Sequence, residues 1–418
     1  MEELKAEMLN STYWDSTYDK MACKRELSKE DVDSLWKLKE IYRNDIVEKL
    51  FSGEYEWSIP RKVQIAKADS KKKRTVYIYS IEDRYILGVI YRCISSYFKD
   101  KINGLCFSYK TETSTSSAIN YIRDNLDNNF KFGVKVDIHA YFNSISRKRV
   151  SEMINELFTG GFKSTLEKLM LTDKVNDNGK IIDEWKSIIP GCALGSFFAN
   201  YCLTPCDNYF TNSQYVYARY SDDIIVISDD REKIENAIEK IKYFISEYGL
   251  ELNPNKYKWF EPDDTIQYLG LKINKAGKID IADHSKLKIK KQIHRWCRKG
   301  RMEIERDYKE FNSVAKSIIR KINNKNMFCA VDNDATFGWC VYAFRYINTI
   351  ESLIEIDRYT RDTLRAMKTG RHNKANVKAI TDEEFKALGW VSLVDMFNLY
   401  KKDYDYYMEV IEILKNRR

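Results

Sequence analysis

Proline and glycine are scarce in this 418-residue chain: five and sixteen respectively. So few chain breakers, beside 44% apolar residues, exclude a collagen-like or largely disordered protein and point to dense regular structure. Long apolar runs are missing too. The longest stretches, 224–228 and 195–203, fall far short of the ~20 residues that a membrane span needs. The opening Met1-Glu2-Glu3-Leu4-Lys5 lacks the apolar core of a signal peptide, so export is not expected. Nine scattered cysteines form no CxxC pair, and four histidines are too few for common zinc sets, which leads to the expectation of a reduced, cytoplasmic protein. The length is enough for two or three domains.

Charge is modest overall, +8, but unevenly spread. Between residues 285 and 325 stand fourteen Lys or Arg against four acids. Lys286, Lys290, Lys291, Arg295, Arg298, Lys299 and Arg301 recur as they would on a helix that follows a phosphate backbone, although a solvated helix face has the same composition. Twenty-nine tyrosines offer stacking surfaces for bases and equally fill half-buried sites.

Periodicity organises the rest. Residues 1–57 read as helical, with 29–50 as one long helix. The basic run 71–74 leads into a strand at 76–79, and 83–98 returns to helical spacing. A strand over 131–137 ends on Asp137. A helix is expected over 195–210, a hairpin with strands 215–220 and 224–228, a helix over 231–248 and a strand over 268–273. From 285 onward the pattern is helical, which makes an α+β chain with a central mixed layer.

Three carboxylates carry the chemistry. Asp137 ends an apolar strand, and Asp222 and Asp223 occupy the tip of an apolar hairpin. Brought together, they would form an intensely negative site that a hard divalent cation neutralises. Oxygen-only ligands suit Mg²⁺, with Mn²⁺ as an alternative, and two such ions ~4 Å apart activate a hydroxyl and stabilise a leaving pyrophosphate. Tyr-x-Asp-Asp alone arises by chance about once in seven chains of this size, so its strand–turn–strand setting matters more than its letters.

These segments resemble the reverse transcriptases. Asp137-Ile-His-Ala-Tyr-Phe-Asn-Ser-Ile145 is similar to their first palm motif and Tyr220-Ser-Asp-Asp223 to their catalytic turn. Between them, Gly191-Cys-Ala-Leu-Gly-Ser-Phe-Phe-Ala-Asn200 is similar to the second palm motif. Gly249-Leu-Glu-Leu-Asn-Pro-Asn-Lys256 and Tyr268-Leu-Gly270 resemble the next two, and Lys73-Arg74 with Asp83-Arg84 resembles the fingers of bacterial group II intron, retron and abortive-infection enzymes. The likeness spans about residues 70–275, in order.

The resemblance implies a right-hand polymerase. It has an N-terminal helical region (1–57), fingers (58–130), a palm (131–275), a helical thumb (276–348) and a C-terminal helical extension (349–418). It implies that Asp137, Asp222 and Asp223 hold two Mg²⁺ ions with the carbonyl of Ile138. Phe142 would exclude a sugar 2′-hydroxyl, and Arg74 with Lys72 or Lys73 would hold the triphosphate. Gly191 and Asn200 would shape the pocket beneath the base, and Lys256 would protonate pyrophosphate. The basic helix would grip the duplex. Departures exist: Ile189-Pro190-Gly191 replaces the family's usual Pro-Gln-Gly, Gly195 stands where serine is common, and Ser221 where alanine is frequent. None removes a metal ligand, and together they imply the divergent bacterial defence-associated lineages.

The expected activity is RNA-directed DNA synthesis from dNTPs, with a structured non-coding RNA as template, a DNA product, no membrane and an open oligomeric state. Two rivals stand beside it: a catalytically idle polymerase-like scaffold or effector that binds RNA, and an RNA-templated RNA polymerase. Among tyrosines 400, 404, 406 and 407 one could serve as a hydroxyl primer, but packing explains them as well. His139, beside Asp137, is expected on the opposite face of its strand. Cys202 and Cys206 read as buried small apolar residues.

Overall fold

A computed structural model describes residues 1–23, 27–66, 73–110, 114–126, 132–184, 192–211, 214–262, 264–327, 339–371, 376 and 378–416. Lys72 and Gly191, with the preceding Ile189-Pro190, lie outside the described residues. The chain divides into two compact units, Met1–Asp264 and Thr265–Arg418.

The first unit opens on four helices, Glu2–Met8, Ser11–Ala22, Lys29–Glu40 and Arg43–Ser52. The expected single helix over 29–50 is therefore two. The backbone N–H groups of Ile41 and Tyr42 both turn back to the Lys37 carbonyl, which closes the first helix. Ser28 and Asp31 cap its start reciprocally, and Gly53, at φ 84°, ends the second in the left-handed conformation that glycine alone adopts cheaply.

Strands β1 (Arg61–Ala66) and β2 (Lys73–Ile78) pair antiparallel over six residues each. The hairpin of β4 (Lys174–Asp177) and β5 (Lys180–Asp183) extends that sheet in the order β2-β1-β4-β5. A second sheet runs β6-β7-β3-β8, built from β3 (Phe132–Asp137), β6 (Val216–Tyr220), β7 (Asp223–Ser228) and β8 (Lys258–Phe260), all antiparallel. Buried Val134, Val136, Ile224 and Val226 set its core face, against which the amphipathic helix Arg231–Ser246 lays Ile234, Ile238, Ile241 and Ile245. The helix expected over 195–210 breaks at Leu203 into Ala193–Cys202 and Thr204–Thr211. Pro205, which has no N–H to give, lies in the first turn of the second piece.

The second unit begins with a meander of β9 (Ile266–Tyr268), β10 (Leu271–Ile273) and β11 (Ile279–Ile281). The single strand expected over 268–273 is thus a hairpin. Leu269 and Gly270 both take positive φ, 49° and 86°, the signature of a two-residue turn. Helices Asp283–Asp307, Phe311–Met327, Trp339–Phe344, Glu351–Thr369, Asp382–Ala387, Leu393–Lys402 and Tyr404–Asn416 follow. Buried Asp357 caps the sixth of these by accepting from the N–H groups of Leu393 and Val394 and from the Ser392 hydroxyl. Tyr407 is fully buried against Phe344 and Tyr400, whereas Tyr404 and Tyr406 are exposed.

Candidate active site

Strand pairing assembles the carboxylates. β3 and β7 run in a register that sets Asp137 directly opposite Asp223. Residues opposite each other across antiparallel strands share a face, so these two side chains emerge together. β6 and β7 close on the Tyr220–Asp223 pair, leaving Ser221 and Asp222 as a two-residue loop. The N–H of Ile138 donates to the Asp222 carbonyl at 3.2 Å, which ties the loop to the end of β3. The Asp137 carbonyl in turn accepts from Asn253 N–H at 2.7 Å, and Ile138 bridges to Leu252.

Charge balance at this corner is uneven. Lys256 meets Asp137 at 2.6 Å and Lys135 meets Asp223 at 3.1 Å, so two lysines face three acids. Asp222 makes no such ion pair among the described residues. Burial, followed by the charges of Asp137 and Asp223, pushes its pKa up. Among the described residues no three or more His, Cys, Asp or Glu side chains stand ready-made as a metal cage. The donors at hand are nevertheless all oxygens, with excess negative charge, and they fit a hard divalent cation such as Mg²⁺ better than a soft one.

Phe142 lies half-buried on the one-turn helix Tyr141–Ser144, edge-on to Tyr109 with ring centroids 6.4 Å apart, and Tyr109 also flanks Tyr220 at 6.3 Å. Lys73 is exposed at the start of β2, and Arg74 follows it in the same strand. His139 is exposed, its backbone N–H bound to the Glu251 carbonyl. Asn200 is fully buried, with its amide bonded to Ser108, so any part in shaping a pocket would be from beneath and not by touching a nucleotide.

The basic helix Asp283–Asp307 also divides. Lys286 and Lys290 pair with Glu355 at 2.6 and 2.5 Å, and Arg301 donates to the Gly370 carbonyl at 2.7 Å, so these three are engaged within the second unit. The reason for the two lysines is Glu355 on helix Glu351–Thr369, which the basic helix packs against. Lys291, Arg295, Arg298 and Lys299 are exposed, and the first three follow one face at helical spacing.

Periodicity did not reveal Arg219 and Asp207, a fully buried ion pair at 2.5 Å beneath the loop. Burial opposes the guanidinium charge, but Asp207 outweighs it and holds the Arg219 pKa well above its ordinary value. The available signal was a lone arginine within an otherwise apolar strand, 216–220.

The sequence pattern described as "Reverse transcriptase (RNA-dependent DNA polymerase)" matches residues 65–273, half of the chain. No curated protein matches the sequence. Among solved structures, a Candida albicans telomerase in complex with a fragment of telomeric RNA is 14% identical with TM-score 0.44, the alignment covering 91% of this chain and 68% of that one. An apo telomerase from Candida tropicalis, truncated from its C-terminal domain, is 14% identical with TM-score 0.40, over 53% of this chain and 55% of that one. The pattern match spans β3, β7 and the loop between β6 and β7 that holds Asp222, and the chain belongs to the reverse transcriptase family of RNA-directed DNA polymerases, with the family's right-hand fold.

Proposed function

We propose that this enzyme copies a dedicated structured non-coding RNA into DNA, from dNTPs and with two Mg²⁺ ions, as part of antiphage defence in a bacterial cytoplasm. The observation that carries the catalytic part is the register of β3 on β7, which sets Asp137 opposite Asp223 with Asp222 in the adjoining loop. The defence role is supported by the sequence departures at 189–191, Gly195 and Ser221.

Asp137, Asp222 and Asp223 would hold the ions, with the Ile138 carbonyl as a further ligand. Bound there, the ions would lower the pKa of the attacking hydroxyl and stabilise the leaving pyrophosphate. Phe142 would fill the space that a 2′-hydroxyl needs and so select deoxynucleotides. Lys73 and Arg74, with Lys72, would hold the triphosphate by charge-assisted hydrogen bonds. Lys256, bonded to Asp137 and 57% exposed, would give pyrophosphate a proton. Fingers (58–130), palm (131–275), thumb (276–348) and extension (349–418) remain the proposed division. Lys291, Arg295, Arg298 and Lys299 would track the duplex backbone from the thumb.

The test is dNTP incorporation on a primed RNA by the native chain and by Asp222→Ala with Asp223→Ala, together with sequencing of copurifying nucleic acid. Native synthesis abolished in the double variant is the expected result. No incorporation by the native chain, or equal phage resistance from both proteins in cells, overturns the reading in favour of an RNA-binding scaffold.

A further inference from the structure

Ser221 holds a backbone shape that its side chain resists. Its φ of 59° lies in the left-handed region, at the first position of a two-residue hairpin loop, where glycine is favoured. Ser221 is also buried, so water does not serve its polar backbone groups. Side chains serve both instead. The Ser221 N–H donates to Ser108 Oγ at 2.8 Å, and the Ser221 carbonyl accepts from Arg219 Nη1 at 3.3 Å.

Neither partner has freedom to move, because Ser108 and Arg219 are both fully buried. Ser108 gives its own proton to Asn200 Oδ1 at 3.0 Å, and Asn200 Nδ2 donates back to the Ser108 carbonyl at 2.6 Å. Arg219 donates to both oxygens of Asp207, at 2.8 and 2.5 Å, and to the Asn200 carbonyl at 3.1 Å. Tyr217 completes Asp207 at 2.8 Å. A loop, two helices and a strand thus converge on the peptide that precedes Asp222.

We infer that Ser108, backed by Arg219 and Asn200, is a positioning residue for the metal-binding carboxylates: it holds Ser221 left-handed and so sets where Asp222 stands relative to Asp137. The inference rests on the reading of Asp222 as a metal ligand. Ser108, Asn200, Asp207 and Arg219 expose no surface, so their effect on catalysis passes through the loop.

The test compares Ser108→Ala, Ser221→Gly and the double variant by Mn²⁺ binding in electron paramagnetic resonance, by dNTP incorporation and by thermal melting. Ser108→Ala should weaken Mn²⁺ binding and lower kcat, each by about 10–100-fold, as loss of an outer-shell partner does. KM for primed RNA should stay within about twofold, since Ser108 does not touch the substrate. Glycine at 221 takes positive φ without cost, so the double variant should recover most of the Mn²⁺ affinity although the hydroxyl is still missing. A purely structural Ser108 would give no such recovery. Wild-type Mn²⁺ affinity in folded Ser108→Ala, or a double variant no better than the single one, overturns the inference. Failure of the metal reading looks different: Asp222→Asn then binds Mn²⁺ as tightly as the native chain, and the positioning role falls with it.

Discussion

Burial and, after it, the neighbouring carboxylates of Asp137 and Asp223 raise the Asp222 pKa. A raised value means that the folded chain binds this proton more tightly than the unfolded chain does. The resulting stabilisation is complete below the ordinary aspartate range and is lost as pH rises through the folded value. Ionising this side chain therefore costs stability when no cation is bound. Asp222→Asn should raise the melting temperature in EDTA at pH 7, by ~2 °C for a chain of this size, with the gain shrinking toward pH 4. Mg²⁺ should stabilise the native chain and leave the variant unmoved, which differential scanning calorimetry reads directly. At the same scale, Phe142→Ala should increase ribonucleotide incorporation relative to deoxynucleotide by at least about tenfold if the ring is the bulk that rejects the hydroxyl, as proposed. Unchanged discrimination in a competition assay would remove Phe142 from that role.

Among the elements, helix Asp283–Asp307 packs through one face and leaves a basic stripe on another. Its inward face is pinned by Lys286, Lys290 and Arg301, and at Gly300 the neighbouring helices come so close that an added Cβ would sit 2.4 Å from Ile318 and 2.9 Å from Val314. Gly300→Val should cost about 1–3 kcal/mol by overpacking, visible as an earlier melting transition. A second element carries a pH signature. Burial pushes the Asp357 carboxyl up to about 6, against the opposing pull of the Leu393, Ser392 and Val394 hydrogen bonds, with Asp395 adding to the rise. The folded pKa is raised, so its stabilisation is present below the ordinary value near 3.9 and is lost as pH climbs through about 6. The second unit should therefore melt later at pH 5 than at pH 7, and Asp357→Asn should flatten that difference. A dependence that survives the substitution would trace to other groups.

At the scale of the whole molecule, +8 spread over 418 residues is too little to hold nucleic acid by itself, so the local stripe matters. Replacing Lys291, Arg295 and Arg298 together by glutamine should weaken binding to a primed RNA without changing sequence preference. It should also reduce the slope of log affinity against log salt by about one for each phosphate that is no longer neutralised. An unchanged slope would assign those cations to solvent.

The sequence by itself determined the chemistry-bearing positions in order along the chain: an aspartate closing an apolar strand, a pair at a hairpin tip, and a basic helix beyond them. Period-two apolar patterning leaves one face for a strand such as Phe132–Asp137, so its end and its carboxylate were legible. Tertiary structure decided the partners. Nothing local says that Lys290 faces Glu355 or that Asn200 is buried against Ser108, because each depends on groups that approach from distant segments. Ion pairing and burial are long-range outcomes of packing. A linear pattern holds the residues that take part, while the neighbour that neutralises or desolvates each one is set only when the elements meet.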